Sequence, residues 1–490
     1  MNTAIATLKL LAASRGHRGG VQGNEYIFPF AVTLLVMVAA QVTSAATITV
    51  NTTADNLTAG DGQCTLREAL ANVNAAADTT SGDCTAGTGA GDTVTFSLVL
   101  PVKITLVLGE LVIQRDVTIM GPTAGTLRIS GAHTTRVLHI TTITTVSVSN
   151  LTIENGNAPY GGGIWNGSSI GPGGTVALTD CTFTGNKAQY GGGGIYNGSS
   201  IGPGGTVALT NCTFTGNKAQ YDGGAIENDG TMSLTNCTLK NNRAIVSGAG
   251  ISNANAGTMT LLNCTLTGNV AISGPFGGHL GGGISNDGTM TLRNCTLNGN
   301  SGDHGGGIYN ETGTMSLTNS TLTGNYARWG AGGGIMNLSA LALTNCTISR
   351  NKAYAGPGSL GGGGIWQNSE LSPATIVVTN TIIAGNGKAG NCGGAPPTSN
   401  GHNLSDAGCF TSGGTDLVNT DPVLAPLAKY GGPTKTMALC AGAHLPSRSC
   451  KGASPAIDAG DDGVTGPPLN LTTDQRGLPR LSGAHVDIGA

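Results

Sequence analysis

The sequence contains few charged and few aromatic residues. Only 10% of its 490 residues are Asp, Glu, Lys or Arg, only 4% are aromatic, and the formal net charge is −3. Binding of nucleic acid requires a concentrated basic surface that displaces counter-ions from phosphate, so this near-neutral balance argues against a nucleic-acid partner. A disordered chain is also excluded, because such chains have a low apolar content, whereas 39% of this one is hydrophobic.

Two further patterns are missing. The sequence has no C-x-x-C pair and no His-x-x-x-His spacing, so it predicts no zinc site, and no residue pattern predicts a cofactor. Beyond residue 46, no apolar run reaches the roughly 20 residues that a membrane-spanning helix needs. We therefore expect no integral membrane segment in the mature chain.

The N-terminus has the pattern of an export signal. Lys9, Arg15 and Arg18 precede the apolar run Ile27–Ala40, and the small-residue stretch TSAAT follows it. This order of basic, apolar and small residues predicts export, with cleavage near Ala45 or Ala46. The alternative, an uncleaved anchor, needs a longer apolar run. We assign residues 1–46 to the signal and expect an extracellular or cell-surface protein.

The chain is rich in glycine and internally repeated. It has 82 Gly, and the segment 161–190 recurs almost unchanged 31 positions later, then continues in degraded copies. Such a period is typical of a solenoid. The copies align on one polar residue that usually precedes a cysteine. The marker is Asn150, Asp180, Asn211, Asn236, Asn263, Asn294, Asn319, Asn345 and Asn380 in turn.

Apolar residues keep fixed offsets from the marker in every copy. In the second copy, Val176 and Leu178 precede Asp180, and Cys181 and Phe183 follow it. Period 2 on each side predicts two strands, and the one-residue slip predicts a corner between them. A third segment, G-G-x-I, comes upstream of each marker. The pattern therefore predicts an all-β, right-handed parallel β-helix with three strands per coil.

Asparagines recur at two more positions. One lies six residues after the marker, at Asn186, Asn217, Asn242, Asn269, Asn300, Asn325, Asn351 and Asn386, and another follows the isoleucine, from Asn166 and Asn197 to Asn337. An amide can donate to one neighbouring coil and accept from the other. We therefore expect ladders of stacked asparagines, and we prefer this explanation of the NCT triplets to glycosylation.

The twelve cysteines fall into two groups. Six occupy one inward position of successive coils, at Cys181, Cys212, Cys237, Cys264, Cys295 and Cys346. Side chains stacked in parallel register are poorly directed for a disulfide, so we expect buried thiols. The others lie outside the regular coils and form three candidate disulfides, Cys64 with Cys84, Cys392 with Cys409 and Cys440 with Cys450.

Both ends of the array have distinct sequences. The segment Cys64–Ala75 places Leu66, Ala69, Leu70 and Val73 on one helical face, which predicts a short helix that caps the first coil. Irregular strands follow it. We expect an N-terminal cap and irregular coils over 47–145, regular repeats over 146–391, and a Gly/Pro-rich C-terminal domain over 392–490.

These terminal segments resemble known families of exported bacterial proteins. CTLREALANVNA (64–75) is similar to the CSLREA-type segment of β-helix proteins, and GGAI (223–226) with FTGN (183–186 and 214–217) resembles the repeats of polymorphic outer-membrane proteins. The C-terminal part resembles the choice-of-anchor Q domain. Its matching segments are Asn403–Cys409, Asp421–Leu439, Ser454–Asp461, Thr473–Arg480 and Val486–Ala490. The resemblance implies a secreted or surface β-helix, with adhesion as the usual function and no catalytic residues to transfer.

The variable connections between the asparagine six residues after the marker and the next G-G-x-I segment are the expected ligand-binding region, because insertions in solenoids collect on one face. They pair basic with aromatic residues, which suits an acidic sugar. The segments are Lys187–Tyr190, Lys218–Tyr221, Asn241–Ser247, Ser301–His304, Tyr326–Trp329 and Lys352–Tyr354. The alternative is that these are solvated loops with incidental side chains. We expect the protein to bind a polysaccharide, or the surface of a host or neighbouring cell, through these connections.

The alternative function is a carbohydrate-active enzyme, a polysaccharide lyase or glycoside hydrolase, since such enzymes use carboxylates for acid/base chemistry or calcium binding. The acidic residues fall on turns of different coils and give no catalytic set, at Asp180, Asp222, Glu227, Asp229, Asp287 and Asp303. Asp303 beside His304 is the only suggestive pair, and turn chemistry also explains it. We therefore favour a structural or adhesive β-helix that is not an enzyme.

Overall fold

A computed structural model describes the chain from residue 44 to 490, apart from 142, 169–170, 200–203, 255, 272–279, 355–360, 369–373, 413 and 442–449. The predicted export segment thus lies almost entirely outside the described residues. Among the residues that are described, no helix has the length and apolar character required to cross a membrane.

The described chain winds into a parallel β-helix whose coils contribute one strand to each sheet in turn. Sheet A has 13 strands. They are Thr47–Val50, Asp92–Phe96, Val117–Met120, Thr145–Ser149, Thr175–Thr179, Thr206–Thr210, Thr231–Thr235, Thr258–Leu262, Thr289–Arg293, Thr314–Thr318, Ala340–Thr344, Thr375–Thr379 and Thr398–Ser399. From Thr145–Ser149 to Thr375–Thr379, these are the strands predicted before the markers.

Sheets B and C contain the other two predicted strands. Sheet B, after the marker, comprises Val102–Thr105, Leu127–Ser130, Thr152–Glu154, Thr182–Thr184, Thr213–Thr215, Thr238–Lys240, Thr265–Thr267, Thr296–Asn298, Thr321–Thr323, Thr347–Ser349, Ile382–Ala384, Leu404–Ser405 and Leu417–Val418. Sheet C, the G-G-x-I segment, comprises Leu111–Ile113, Leu138–Ile140, Ile164–Asn166, Ile195–Asn197, Ile226–Asn228, Ile251–Asn253, Ile284–Asn286, Ile308–Asn310, Ile335–Asn337, Ile365–Gln367 and Cys392–Gly394.

The structure also contains a fourth sheet, D, where we expected variable loops. Its strands are Asn157–Tyr160, Lys187–Gly191, Lys218–Ala219, Arg243–Ala244, Val270–Ala271, Ser301–Gly302, Tyr326–Ala327 and Lys352–Ala353. Most are two residues long, too short to show a period-2 pattern. Their signal is instead an alanine two residues after the asparagine, as at Ala188 and Ala219, which points inward and is buried.

The corners form as the one-residue slip predicts. Every marker residue has a left-handed backbone, with φ of 56° at Asn211 and 54° at Asp180. Asparagine and aspartate tolerate this conformation better than other residues with a side chain. The next corner, before the buried asparagine, uses glycine in most coils for the same reason, as at Gly185 with φ of 65°, whereas Asn241 and Arg350 take this position in two coils.

Two buried ladders of asparagine run the length of the regular coils, as predicted. Asn186 donates from Nδ2 to Oδ1 of Asn217 at 3.0 Å, and Asn217 donates to Asn242 at 3.0 Å. On the other side of the coil, Asn166 donates to Asn197 at 2.9 Å. From Asp180 to Asn294, the marker residues form a third ladder at the surface, in which Asn211 donates to Asp180 at 3.0 Å.

The cysteines confirm both parts of their prediction. The six stacked thiols are free and buried, and burial raises the pKa of Cys346 to about 12, so this group stays protonated. Disulfides join Cys64 to Cys84, Cys392 to Cys409 and Cys440 to Cys450. The thiols therefore serve as small apolar core side chains, and the disulfides staple segments outside the regular coils.

A helix caps the N-terminal end, as expected. Helix α1, Leu66–Ala75, buries Leu66, Ala69, Leu70 and Val73. Thr65 accepts from the Glu68 amide while the Glu68 carboxylate accepts from the Thr65 amide, a reciprocal cap. The helix thus covers apolar side chains that would otherwise face solvent.

The C-terminal residues return along the outside of sheet B. Gln475 is fully buried and donates to Thr296 at 2.9 Å, while Thr321 donates to its Oε1 at 2.6 Å. Asn319 leaves the marker ladder and donates to the Thr473 carbonyl at 2.8 Å, and Asn380 donates to the Asp461 carbonyl at 3.0 Å. The segment therefore covers sheet B over the later coils and leaves the earlier ones exposed.

Candidate functional site

Three basic side chains lie in register on the outer face of sheet D. Lys187 pairs with Lys218, and Lys218 pairs with Arg243, so they occupy one position in consecutive coils, about 4.8 Å apart. All three are exposed. None forms an ion pair within the part of the chain that the structure describes. Because adjacent like charges destabilise a sheet, an external anion would relieve their repulsion.

These side chains line a groove, which we call the basic groove. It has a volume of about 490 Å³ and is lined by Asn157, Lys187, Ala188, Gln189, Lys218, Ala219, Gln220, Arg243, Ala244 and Ile245. Ala188, Ala219 and Ala244 are buried, and the exposed Gln189 and Gln220 add amide donors and acceptors beside the charges. The structure thus joins three segments that we predicted as binding loops into one surface.

Tyrosines form a second row beside the basic groove, the tyrosine ladder. The ring centroids of Tyr160 and Tyr190 are 5.0 Å apart, and those of Tyr190 and Tyr221 are 5.8 Å apart. Tyr190 and Tyr221 are 41% and 42% exposed. Because the rings follow one another along the axis, they present edges and hydroxyl groups, which can donate hydrogen bonds to an extended ligand.

The remaining predicted segments do not extend the basic groove. The same position of sheet D is occupied by Val270, Ser301 and Tyr326 before a single lysine returns at Lys352. In Ser301–His304, the Asp303 carboxylate pairs with Arg328 at 3.1 Å. Trp329 and Tyr354 form a separate exposed aromatic pair with centroids 6.2 Å apart.

Acidic side chains meet on the outer face of sheet C, around the corner from the basic groove. This carboxylate cluster comprises Asp222, Glu227, Asp229, Asp287 and Glu311, all partly exposed. The Tyr196 hydroxyl donates to Asp229 at 2.7 Å, and Ser247 donates to Asp222 at 2.6 Å. Oε2 of Glu227 is shielded from solvent and has no hydrogen-bond partner among the described residues.

Burial and mutual repulsion raise the pKa values of this cluster. Burial raises the pKa of Glu227 well above its ordinary value, and the charges of Asp229 and Asp222 add to the effect. The pKa of Asp222 is raised mainly by burial, although hydrogen bonds from Ser247 oppose the shift. Among the described residues, no cation contributes to these shifts. The cluster therefore holds uncompensated acidic groups.

This convergence corrects our expectation that the acidic residues are scattered. Asp222, Glu227 and Asp229 lie around one strand of sheet C, Ile226–Asn228, and stacking of the coils brings Asp287 of a later coil within electrostatic range of Asp222. Asp180 and Asp303 do lie elsewhere, in the marker ladder and the Arg328 pair. Sequence reasoning also missed Glu311, although Asp229, Asp287 and Glu311 share one offset, three residues after the first residue of their sheet C strands.

A metal centre does not follow from the acidic groups. Within the described ranges, no three or more His, Cys, Asp or Glu side chains have an arrangement that could hold a metal ion. All five acidic groups of the cluster have raised pKa values. One carboxyl oxygen, Oε2 of Glu227, has no partner among the described residues, and Tyr196 lies beside Asp229.

We expect Glu227→Gln to stabilise the protein at about pH 8 and to change nothing at about pH 4. The raised pKa means that the folded state keeps a proton which the unfolded state releases, so stability falls as pH rises from the unfolded towards the folded pKa. Glutamine removes that ionisation. Thermal unfolding of both proteins at the two pH values measures the effect.

The control for that prediction is Asp180→Asn, the same chemical change in the exposed marker ladder, where every other copy has asparagine. It should not reproduce the gain in stability at about pH 8. If Glu227→Gln and the unsubstituted protein are equally stable at both pH values, the raised pKa of Glu227 is wrong.

Comparison with known proteins matches the repeats to one family. The sequence model described as "Right handed beta helix region" matches residues 137–326 and 226–415, which together span more than half of the chain. No curated protein sequence gives a significant match.

Several solved structures are similar to the fold. The pectate lyase Pel9A has 12% identity and a TM-score of 0.40, over 92% of this chain and 96% of the lyase. The alginate lyase AlyF-OU02 has 13% identity and a TM-score of 0.31, over 64% of this chain and 72% of that one. Tailspike protein 3 of bacteriophage CBA120 has 10% identity and a TM-score of 0.34, over 67% and 55%. At these identities the similarity concerns the fold alone.

Proposed function

The chain belongs to the family of proteins with a right-handed β-helix region, and we propose that it is an exported, extracellular or cell-surface member that binds an acidic polysaccharide without cleaving it. The observation that carries the proposal is the basic groove, in which Lys187, Lys218 and Arg243 lie in register and have no ion-pair partner among the described residues. The adhesive role follows from binding such a polymer at a surface.

The groove suits an extended polyanion that runs parallel to the helix axis. Its cations repeat once per coil, about 4.8 Å apart, and the tyrosine ladder repeats in the same direction, with centroid spacings of 5.0 and 5.8 Å. A polymer with regularly placed carboxylates would contact a lysine or arginine and a tyrosine hydroxyl in each of several coils. Multiple weak contacts then add along one ligand chain.

The test is a binding assay with polysaccharides of different charge. We expect alginate and heparosan, a polymer of glucuronate and N-acetylglucosamine, to bind, and neutral dextran not to bind. Lys218→Ala should weaken binding of heparosan oligosaccharides by about tenfold, since one charge-assisted contact is worth about 1.5 kcal/mol. Added salt should weaken it further. Isothermal titration calorimetry gives the dissociation constants.

Lys352→Ala is the matched control, because Lys352 occupies the same position of sheet D but stands apart from the three clustered cations. It should bind as the unsubstituted protein does. Equal losses in the two variants, or equal binding of dextran and heparosan, would contradict the basic groove as the binding site.

The second candidate function is a polysaccharide lyase or glycoside hydrolase, and the carboxylate cluster favours it. A carboxyl group with a raised pKa, such as Glu227, is suited to donate a proton to a leaving group. Incubation of the protein with the same polysaccharides distinguishes the two functions. New chain ends that disappear in Glu227→Gln would establish an enzyme, whereas retention without new ends supports binding alone.

A further inference from the structure

Three aromatic side chains are exposed together in the last coils of sheet D. Tyr326, Trp329 and Tyr354 are 40%, 66% and 39% exposed, and the ring centroids of Trp329 and Tyr354 are 6.2 Å apart. Tryptophan is highly buried on average in folded proteins, so an exposed tryptophan with other exposed rings beside it is informative. We call these three residues the aromatic site.

The aromatic site stands on the same rows of sheet D as the basic groove. Tyr326 occupies the position of the three groove cations, three strands beyond Arg243. The Tyr354 amide donates to the carbonyl of Ala327 in the preceding coil at 2.9 Å, as the Gln220 amide donates to Ala188 at 3.2 Å. Tyr326 thus replaces a cation, and Tyr354 replaces a glutamine.

Trp329 occupies the corner that belongs to the tyrosine ladder. In the earlier coils, the amide of Tyr221 and the next amide both donate to the Tyr190 carbonyl, at 3.2 and 3.0 Å. The amide of Trp329 and the next amide donate in the same way to the Asp303 carbonyl, at 3.3 and 3.0 Å. The indole therefore continues the row of rings that borders the basic groove.

The turn that presents Trp329 is held in place by its neighbours and not by the indole. Nε of Arg328 donates to the Asp303 carboxylate at 3.1 Å, and the same guanidinium bonds to the Ala271 carbonyl. The Asp303 carboxylate thus compensates the charge of Arg328. The indole itself contacts another ring only at Tyr354 among the described residues. A fixed and exposed ring of this kind is suited to a flat apolar ligand surface.

The ligand surface that fits these rings is the face of a neutral sugar. In a pyranose with equatorial substituents, the axial C–H groups form an apolar face and the hydroxyl groups lie at the rim. Packing that face on an indole removes apolar area from water and leaves the hydroxyl groups solvated. A protein partner is less suitable, because three half-exposed side chains offer far less than the roughly 800 Å² that each partner buries in a standard interface.

We infer that the aromatic site is a second subsite of the same binding face, and that the ligand is a heteropolysaccharide whose neutral, β-linked residues stack there while its uronates lie in the basic groove. This inference rests on the proposed function and names its ligand class. Continuity carries it, since the strand of Tyr326 lies about 14 Å beyond that of Arg243 on the same rows. A polymer that leaves the groove parallel to the axis in that direction passes over the rings.

The first test uses a neutral probe and tryptophan fluorescence. The sequence has three tryptophans, of which Trp366 is buried and Trp165 is half-buried, so Trp329 is the exposed one. Cellohexaose, a β-1,4-linked glucose hexamer, should shift the emission to shorter wavelength and protect it from quenching by acrylamide. Added salt should not weaken this binding, because no charge takes part. Dextran, whose α-1,6 linkages do not hold successive rings in a flat chain, should cause no shift.

Variants assign the signal to the aromatic site. Trp329→Ala should abolish both the spectral shift and the binding of cellohexaose, whereas Trp329→Phe should lose the shift and retain binding by calorimetry, since a ring remains. Trp366→Phe, a change in a buried tryptophan on sheet C, should keep the shift. Lys352→Ala should also keep it, which excludes a role for the nearest lysine of sheet D.

The second test shows whether the two subsites share one ligand. Hyaluronan alternates glucuronate with N-acetylglucosamine through equatorial linkages. Lys187 and Tyr326 are five strands apart, about 24 Å, which a decasaccharide spans and a tetrasaccharide on the three cations does not. Trp329→Ala should therefore weaken binding of the decasaccharide about tenfold and that of the tetrasaccharide less than about twofold. Lys218→Ala should weaken both.

The outcomes separate this inference from the proposed function. If Lys218→Ala weakens hyaluronan binding but Trp329→Ala leaves the decasaccharide unaffected, the second subsite is wrong and the basic groove stands. Cellohexaose that binds without any dependence on Trp329 would also overturn the inference. If the unsubstituted protein binds neither hyaluronan oligosaccharide, or Lys218→Ala changes neither, both proposals fail.

Discussion

Replacement of Asn242 by alanine is expected to lower the free energy of unfolding by about 3–5 kcal/mol, because two or three buried groups lose a partner at about 1–3 kcal/mol each. Oδ1 of Asn242 accepts from the amide and the side chain of Asn217, at 2.9 and 3.0 Å. Its Nδ2 donates to the Phe214 carbonyl at 3.2 Å and to Asn269 at 2.9 Å. Alanine makes none of these bonds and leaves a cavity.

The loss should also change the shape of the unfolding transition. Coils are stabilised by their neighbours, so a defect in one coil weakens the coupling between the two halves of the array. Denaturant unfolding followed by circular dichroism should therefore show a broader or divided transition in Asn242→Ala, in addition to an earlier midpoint.

Asn236→Gly is the control for this prediction. Asn236 belongs to the exposed marker ladder, where it donates to Asn211 at 3.2 Å, and glycine keeps the left-handed backbone without strain. The cost should stay below about 1 kcal/mol, as for an exposed hydrogen bond. Similar losses in the two variants would show that burial does not decide the strength of the ladders.

Replacement of Gln475 by alanine is expected to detach the C-terminal segment from sheet B. Gln475 is fully buried and bonds to the Cys295 carbonyl, Thr296, Thr321 and Thr434. Its loss leaves these groups without a partner and should cost about 3 kcal/mol of local stability. Limited proteolysis should then cleave the C-terminal segment in conditions where the unsubstituted protein resists.

Leu478→Ala is the comparison for that experiment, because Leu478 lies three residues away and is 48% exposed. It should resist proteolysis as the unsubstituted protein does. The Gln475→Ala variant should retain polysaccharide binding, since the basic groove lies in earlier coils on another sheet. Unchanged proteolysis of Gln475→Ala would show that other contacts hold the segment.

Repeat features of this protein were predictable because they depend on short offsets within one coil. Val176, Leu178 and Phe183 alternate at period 2, and the marker interrupts the alternation once, so strands and corner follow from local pattern alone. The stacked asparagines and cysteines follow from repetition, since identical offsets in successive coils must lie above one another.

Sheet D was not predictable in the same way. A strand of two residues, such as Lys218–Ala219, has no alternation to detect, and it forms because the coils on both sides supply its hydrogen-bond partners. The basic groove depends on this sheet, because loops would not hold Lys187, Lys218 and Arg243 in register. Three segments expected to bind separately are therefore one surface.

The sequence by itself determined the solenoid, its corners, its ladders, the helical cap and the disulfide pairs, because each of these depends on residues at fixed offsets or on cysteines excluded from the coils. Only the tertiary structure decided which charges meet. Glu227 and Asp229 are close in the chain, whereas Asp287 comes from a later coil, and its proximity to Asp222 arises from winding and stacking, which place residues far apart in the chain on one face. Charge interactions act through space, so they follow the fold and not the order of the residues.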